Sequence, residues 1–290
     1  MEHKDASDPS GESDEETEQP PRRRMLLSAA GFMLLAITTT NSITRRGPAA
    51  MSNAGGSHPQ ALDPTPGLSD PSLSDGSDPS GTSSTDKPQS RLASAPRYYV
   101  DDSAGPTAIA LTLDDGPHPI YTLQILEILD QYDIKATFNM IGKQVRGNLA
   151  LVREVSAAGH TITNHTWDHA DMRKYSAARI VSEIDACNDA LADANQQPTI
   201  FRAPYGYWTP AVFEACATRS LTPLGWSVDP QDWDTTHVST QDIVNTVLRT
   251  TRQHDIILEH DGGGDRSNTV AALQIFLPEL LDRGFVFTAV

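Results

Sequence analysis

Five short polar clusters follow apolar runs in the later part of this 290-residue chain: Asp114-Asp115-Gly116-Pro117, Asn164 to His169, Arg202 to Gly206, Asp229 to Trp233, and Leu258 to Asp261. Between them they hold carboxylates, imidazoles and a guanidinium, the groups that move protons, bind cations and stabilise developing charge. His165 and His169 are four residues apart, which on a helical turn puts both on one side, able to face one ion. A carboxylate completes a facial set. Three protein ligands with a fourth position left for water is the plan of a catalytic metal site, and zinc is its commonest occupant. Two His and one carboxylate would equally accept iron, cobalt or manganese. Alone the pair is a weak signal, because surface helices space histidines this way by chance; the other four clusters give it weight.

For the clusters to meet, the fold must bring strand ends together. Strand-like apolar runs are read at 108–113, 137–141, 161–164, 200–202, 222–228, 256–259 and 285–290, with helical periodicity at 122–132, 150–158, 176–194, 210–218, 240–252 and 270–282. Gly159 and Gly284 stop two of the helices. Strand, helix, strand repeated so often predicts an α/β fold, a parallel sheet with helices outside, open or closed as a barrel. Sites in such folds gather at the C-terminal ends of the strands, and all five clusters fall there.

In this order and at these strand exits the clusters resemble the motifs of the NodB-type polysaccharide deacetylases, carbohydrate esterase family four. Asp114 to Pro117 is similar to the first motif, His165 to His169 to the second, Arg202 to Tyr205 to the third, Asp229 to Trp233 to the fourth and Leu258 to His260 to the fifth, and the resemblance spans 97–290. It implies a distorted (β/α)7 barrel. It also implies roles. Asp115, His165 and His169 would hold one divalent metal ion, Zn2+ before Co2+, Mn2+ or Fe2+, to polarise an acetyl carbonyl and acidify a bound water. Asp114 would be the general base, beside the Arg202 guanidinium. His260 would be the general acid that protonates the leaving amine, with Asp229 orienting its ring. The Tyr205 main-chain N–H would help stabilise the tetrahedral oxyanion, and Trp233 and Leu258 would wall a pocket for the acetyl methyl. The implied reaction removes N-acetyl groups from N-acetylglucosamine units of a polysaccharide, peptidoglycan or chitin-type oligomers, leaving a free amine and acetate. An O-acetyl esterase acting on acetylxylan could use the same groups. The alternative from another class is a catalytically silent saccharide-binding domain, which usually lacks at least one of the acid, base and ligands.

Composition bounds the rest. Before residue 97 there are 8 Lys+Arg against 13 Asp+Glu, and from there on 14 against 25, for a net charge of −16. Neither part is basic, so no nucleic-acid partner is expected, since phosphate binding needs a cationic surface. Two cysteines, Cys187 and Cys216, exclude a disulfide-rich scaffold and a four-cysteine zinc module. Each shares an apolar helix face and is read as a reduced core residue, with a disulfide between them the alternative that export would allow. Residues 1–24 are acidic and nearly free of apolar side chains, a disordered composition. Residues 25–44 open with thirteen uncharged residues, Met25 to Ile37, after Arg22-Arg23-Arg24, the layout of an export signal resembling the twin-arginine type, either cleaved or kept as an anchor. That segment is the expected membrane contact. Residues 45–96 are rich in Ser, Pro, Gly and Asp, a disordered linker tethering a monomeric catalytic domain at 97–290. His118, His160, His237 and His254 are read as loop or surface residues, His118 near the mouth of the site. Gly262 to Ser267 is read as a permissive turn capped by Ser267 or Asn268, without the Lys and spacing of a phosphate loop.

Overall fold

The computed structural model describes residues 95–290. The segments 1–24 and 25–44, and 45–96 but for its last two residues, lie outside the described residues. Seven strands, β1 (Ala108–Asp114), β2 (Thr137–Met140), β3 (Thr161–Asn164), β4 (Ile200–Phe201), β5 (Thr222–Pro223), β6 (Ile256–His260) and β7 (Val286–Phe287), form one curled sheet. Its order is β5-β4-β3-β2-β1-β6, with β7 beside the start of β1, and every ladder is parallel. Isolated bridges from Arg97 to Leu224 and from Val228 to Ile257 draw the two sides of the sheet together. This is the distorted α/β barrel the motifs imply.

Among the described residues seven α-helices pack outside: α1 (Tyr121–Gln131), α2 (Gly142–Gly147), α3 (Leu149–Ala157), α4 (Ala177–Asp193), α5 (Pro210–Ala217), α6 (Thr240–Thr250) and α7 (Ser267–Asp282). Local chemistry fixes three starts. The Ser176 hydroxyl accepts from Arg179 N, the Thr209 hydroxyl accepts from Val212 N just before Pro210, and Ser239 and Asp242 cap each other reciprocally. Neither Ser267 nor Asn268 caps α7; the Asp265 carboxylate two residues upstream accepts both the N–H and the hydroxyl of Ser267.

The period of two along β1 explains how the barrel is filled. Ile109, Leu111 and Leu113 face outward into the main core with Leu129, Val152, Val244 and Phe276 of the helices. Ala108 and Ala110 face inward and plug the barrel floor with Val100, Ile200, Leu224 and Ile256. Thr112 and Asp114, on that same inward face, stand above the plug, where the C-terminal strand ends open. With helices on one face and filled interior on the other, the strand is buried throughout and reads as a continuous apolar run.

Departures from the sequence expectations have local causes. The strand expected over 222–228 is split: 222–223 pairs with β4, and Ser227 and Val228 cross over to Ile256. Pro223 and Gly225 interrupt it, and Tyr98 lies so close over Gly225 that a Cβ there would be 2.6 Å from its ring. The six-residue α2 was not anticipated, since GKQVRG has no apolar period; Gly142 lets it sit against Cys187, whose Cα would be 2.7 Å from a Cβ. Cys187 and Cys216 are buried and unpaired, with burial pushing both thiols up to about 12. His160 is no surface residue: its Nδ1 accepts from Ala136 N at 3.1 Å and it packs edge-on to Phe138. His118 is not among the residues lining the site; its Nδ1 accepts from Ile120 N and Tyr121 N at the start of α1. No helix among the described residues is long and apolar enough to cross a membrane.

Candidate active site

Asp114 ends β1 on the inward face, and its two oxygens are treated differently. Oδ1 accepts from Asn139 Nδ2 at 2.6 Å and from Arg202 Nη1 at 2.8 Å, whereas Oδ2 faces His165 Nε2 at 3.6 Å. Arg202, just after β4, is fully buried; Nη1 also reaches Thr112 Oγ1 at 2.7 Å and Nη2 reaches Gly225 O at 2.8 Å. Asn139 is itself held by the Thr163 hydroxyl. One carboxylate oxygen is thus tied down and the other is left toward the cavity. Breaking a buried ion pair leaves an uncompensated charge, so Arg202→Met is expected to destabilise the domain by about 3–5 kcal/mol. Urea unfolding checks this, and Asp114→Asn in the same background is expected to recover part of the loss.

Asp115, His165 and His169 come together as expected, but not on a helix. Asp115 (φ 74°), Thr166 (φ 66°) and His169 (φ 63°) are all in the left-handed region, so the two histidines sit on an irregular loop. Side chains replace helical carbonyls there: Asn164 Oδ1 accepts from Thr166 N and the Thr166 hydroxyl accepts from His169 N. Left-handed non-glycine backbone costs of order 1–3 kcal/mol per residue and persists where surrounding structure imposes it. The result is a cluster in which Asp115 Oδ1 lies 3.5 Å from His165 Nε2 and 3.3 Å from His169 Nε2.

A divalent cation fits this donor set. One ligand atom from each of the three residues lies within 4.8 Å of the others, and Asp115 Oδ1 is buried with no hydrogen-bond donor among the described residues. His165 Nδ1 is 2.9 Å from Arg202 O, a contact that makes it the N–H nitrogen and leaves Nε2 with its lone pair toward the cluster. Burial, with His165 adding to it, lowers His169 to about 4, so its imidazole is neutral and ready to ligate. The loop is packed against backbone: a Cβ on Gly262 would lie 2.2 Å from Asp115 O. Gly262→Ala is therefore expected to displace Asp115, lowering both Tm and metal affinity, as read by thermal melts and by competition with a chelator.

His260 ends β6, the strand beside β1, in register with Asp114. Its Nδ1 is 2.6 Å from Asp232 Oδ1, and its N–H donates to Asp232 Oδ2 at 2.9 Å. Asp229 was expected to orient this ring and does not: its Oδ1 accepts from Gln231 N at 2.8 Å, a tight turn with Gln231 at φ 59° that carries Asp232 behind the histidine. Burial opposes protonation of His260, but Asp232 outweighs it and raises the imidazole to about 9. Asp261, which ends the last of the five clusters but was given no role, is fully buried against Thr122 Oγ1 at 2.5 Å, and burial pushes its carboxyl up to about 7.

A cavity of about 370 Å³ joins these groups. Asp114, Asp115, His165, His169, Asp229 and His260 line it, together with the expected Tyr205, Trp233 and Leu258 and with Tyr207 and Trp226, which sequence reasoning missed. Leu258 is buried and Trp233 half exposed at the rim. Tyr205 (φ 60°, ψ 7°) stands with its ring 4.5 Å from that of His169. Asn139, Thr112 and Asp232 were also missed as site residues; a polar residue inside a buried strand was the available signal for the first two.

Comparison with known proteins adds independent support. The sequence model of the family described as "Polysaccharide deacetylase" matches residues 101–223. A peptidoglycan-N-acetylglucosamine deacetylase of Bacillus cereus is 42% identical over 184 residues, covering 63% of this chain and 85% of the relative. A chitooligosaccharide deacetylase of Bradyrhizobium is 38% identical over 204 residues, covering 66% of this chain and 92% of the relative. Among solved structures, a family 4 carbohydrate esterase from Streptomyces lividans in complex with acetate superposes with a TM-score of 0.59 at 32% identity, over 63% of this chain and 93% of that one. Relatives matched over most of their own length, on the same barrel, place this chain in the polysaccharide deacetylase family, the family 4 carbohydrate esterases.

Proposed function

We propose that residues 97–290 hydrolyse N-acetyl groups from N-acetylglucosamine units of a polysaccharide, peptidoglycan or chitin-type oligomers, releasing acetate. The observation that carries this is the convergence of Asp114 Oδ2, His260 and the Asp115, His165 and His169 cluster on one cavity. Asp115, His165 and His169 would hold a divalent ion, Zn2+ by the preference of such donors, which would supply Lewis acidity for the acetyl carbonyl and the attacking water. Asp114 takes the proton of that water at Oδ2, because Oδ1 is occupied by Asn139 and Arg202. His260, with Nδ1 committed to Asp232, gives its Nε2 proton to the leaving nitrogen, which departs poorly as an anion. The Tyr205 N–H, on the cavity wall, is the proposed donor to the developing oxyanion. Trp233 and Leu258 seat the methyl group and keep bulk water out. The names of the two relatives support the substrate class.

The acid works only when protonated, so activity falls as pH rises through the His260 pKa. That lies at about 9 from the protein groups alone, and a cation in the cluster pulls it lower. An alkaline limb at or below pH 9 is expected in kcat, and His260→Gln is expected to abolish the limb along with most of the activity.

Acetate and free amine measured on chitooligosaccharides, peptidoglycan fragments and acetylxylan in parallel test the substrate. Amine release from the first two supports the proposal; acetate from acetylxylan alone moves the assignment to an O-acetyl esterase; no release by folded, metal-loaded protein moves it to a saccharide-binding domain. We also propose that the domain acts as a monomer outside the cytoplasm, exported by 25–44 and tethered by 45–96. Fractionation of cells producing the full chain tests this.

A further inference from the structure

Glu259 lies between two cavity residues, Leu258 and His260, and by the alternation of β6 points the other way, toward the helix side with Ile257. It is fully buried, and among the described residues no donor reaches either of its oxygens. Apart from burial, the group acting on it most strongly is another carboxyl, that of Asp232, to which its neighbour His260 is bonded. Asp232 is already well supplied: it accepts from His260 N–H, from His260 Nδ1 and from the Thr269 hydroxyl at 2.7 Å. The nearby Arg266 guanidinium does not neutralise Glu259 directly, since its Nε donates to Gly262 O at 2.6 Å and its Nη1 to Asp232 O at 3.1 Å.

Two carboxyl groups in buried contact cannot both be ionised, and the proton goes to the one with fewer donors. Asp232 has three, Glu259 none. We propose that Glu259 is held as the neutral acid and donates a hydrogen bond to the Asp232 carboxylate, making it a positioning residue for the Asp232 and His260 pair. The groups facing Glu259 agree: Asp232 and Asp229 from the segment before α6 disfavour its ionisation, and Arg266 from the segment before α7 opposes them only in part. Burial is the largest influence, and it pushes the carboxyl well above the usual range. By sharing a proton with Asp232, Glu259 fixes the rotamer of that carboxylate and disperses its charge. Without it, Asp232 would hold the His260 proton more tightly and the ring less firmly.

The kinetic half of this inference rests on His260 acting as the general acid; the protonation half does not. Two variants of the full chain separate them. Glu259→Gln keeps a donor toward Asp232, and Glu259→Leu keeps bulk without one. In the infrared difference spectrum of wild type minus Glu259→Gln at neutral pH, which cancels the contribution of Asp261, a protonated carboxylic acid C=O band is expected. Glu259→Gln is expected to stay close to wild type in kcat, while Glu259→Leu loses about 10–100-fold, the worth of a buried hydrogen bond to a charged group. KM should change little in either, and the alkaline limb of Glu259→Leu should move to higher pH. Absence of the acid band overturns the inference even if Glu259→Leu does not fold. So does a Glu259→Gln variant as impaired as Glu259→Leu, or a Glu259→Leu pH profile superposable on the wild type. If the band is present but the enzyme proves inactive on every acetylated glycan, the functional assignment fails and the proton assignment stands.

Discussion

Asp114→Asn is expected to lower kcat by about 10²–10⁴-fold, the usual contribution of a positioned base, while the chain stays folded and keeps its metal. The reason lies in the asymmetry of the carboxylate. Oδ1 accepts from Asn139 and Arg202, and an amide oxygen can occupy that place. The amide nitrogen then falls at the Oδ2 position, 3.6 Å from His165 Nε2, where it cannot take a proton. The Arg202 ion pair is lost, so some stability goes with it, yet the ligand cluster, anchored on the next residue, is untouched. Steady-state kinetics with metal analysis of the same preparation checks both halves. Unchanged turnover would remove Asp114 from the role of base.

His169→Ala is expected to abolish activity by a different route, loss of the ion. With His165 and Asp115 alone the cluster keeps two donors, and a third is needed for the facial set. His169 is the most exposed of the three proposed ligands, and among the described residues its side chain makes no hydrogen bond that the fold relies on; its ring touches His165 and Tyr205. The fold should therefore survive the substitution. Metal content by elemental analysis is expected to fall from one ion per chain to a small fraction, with Tm near that of the chelated wild type. Metal retained at full occupancy would show that the ligand set has been misassigned.

The sheet and the Asp115, His165 and His169 cluster were legible in the sequence for a common reason: both depend on residues at strand ends. AIALTLDD announces a buried parallel strand delivering two acids to its C-terminal end, and the structure puts Asp114 and Asp115 there. The path between strands was less legible. His165 and His169 suggested a helical turn, and the observed loop depends on Thr166 and Asn164 side chains replacing main-chain partners, which spacing does not encode. Asp229 and Asp232 could not be ranked either, because a turn with Gln231 at φ 59° decides which of them reaches His260. Buried polar residues such as Asn139, Glu259 and Arg266 carry no local signal of their role. Their meaning depends on partners more than twenty residues away.

The account stands or falls on coupling between the ion and the deacetylation. The direct test is acetate release from N-acetylated chitooligosaccharides by the full chain, stripped with a chelator and then titrated with zinc. Activity is expected to vanish on stripping and to return linearly to a break at one ion per chain, with Asp114→Asn binding the same ion without recovering turnover. Acetate release that survives complete stripping, or a chain that takes up its ion and releases none from any N-acetylated glycan, would contradict it.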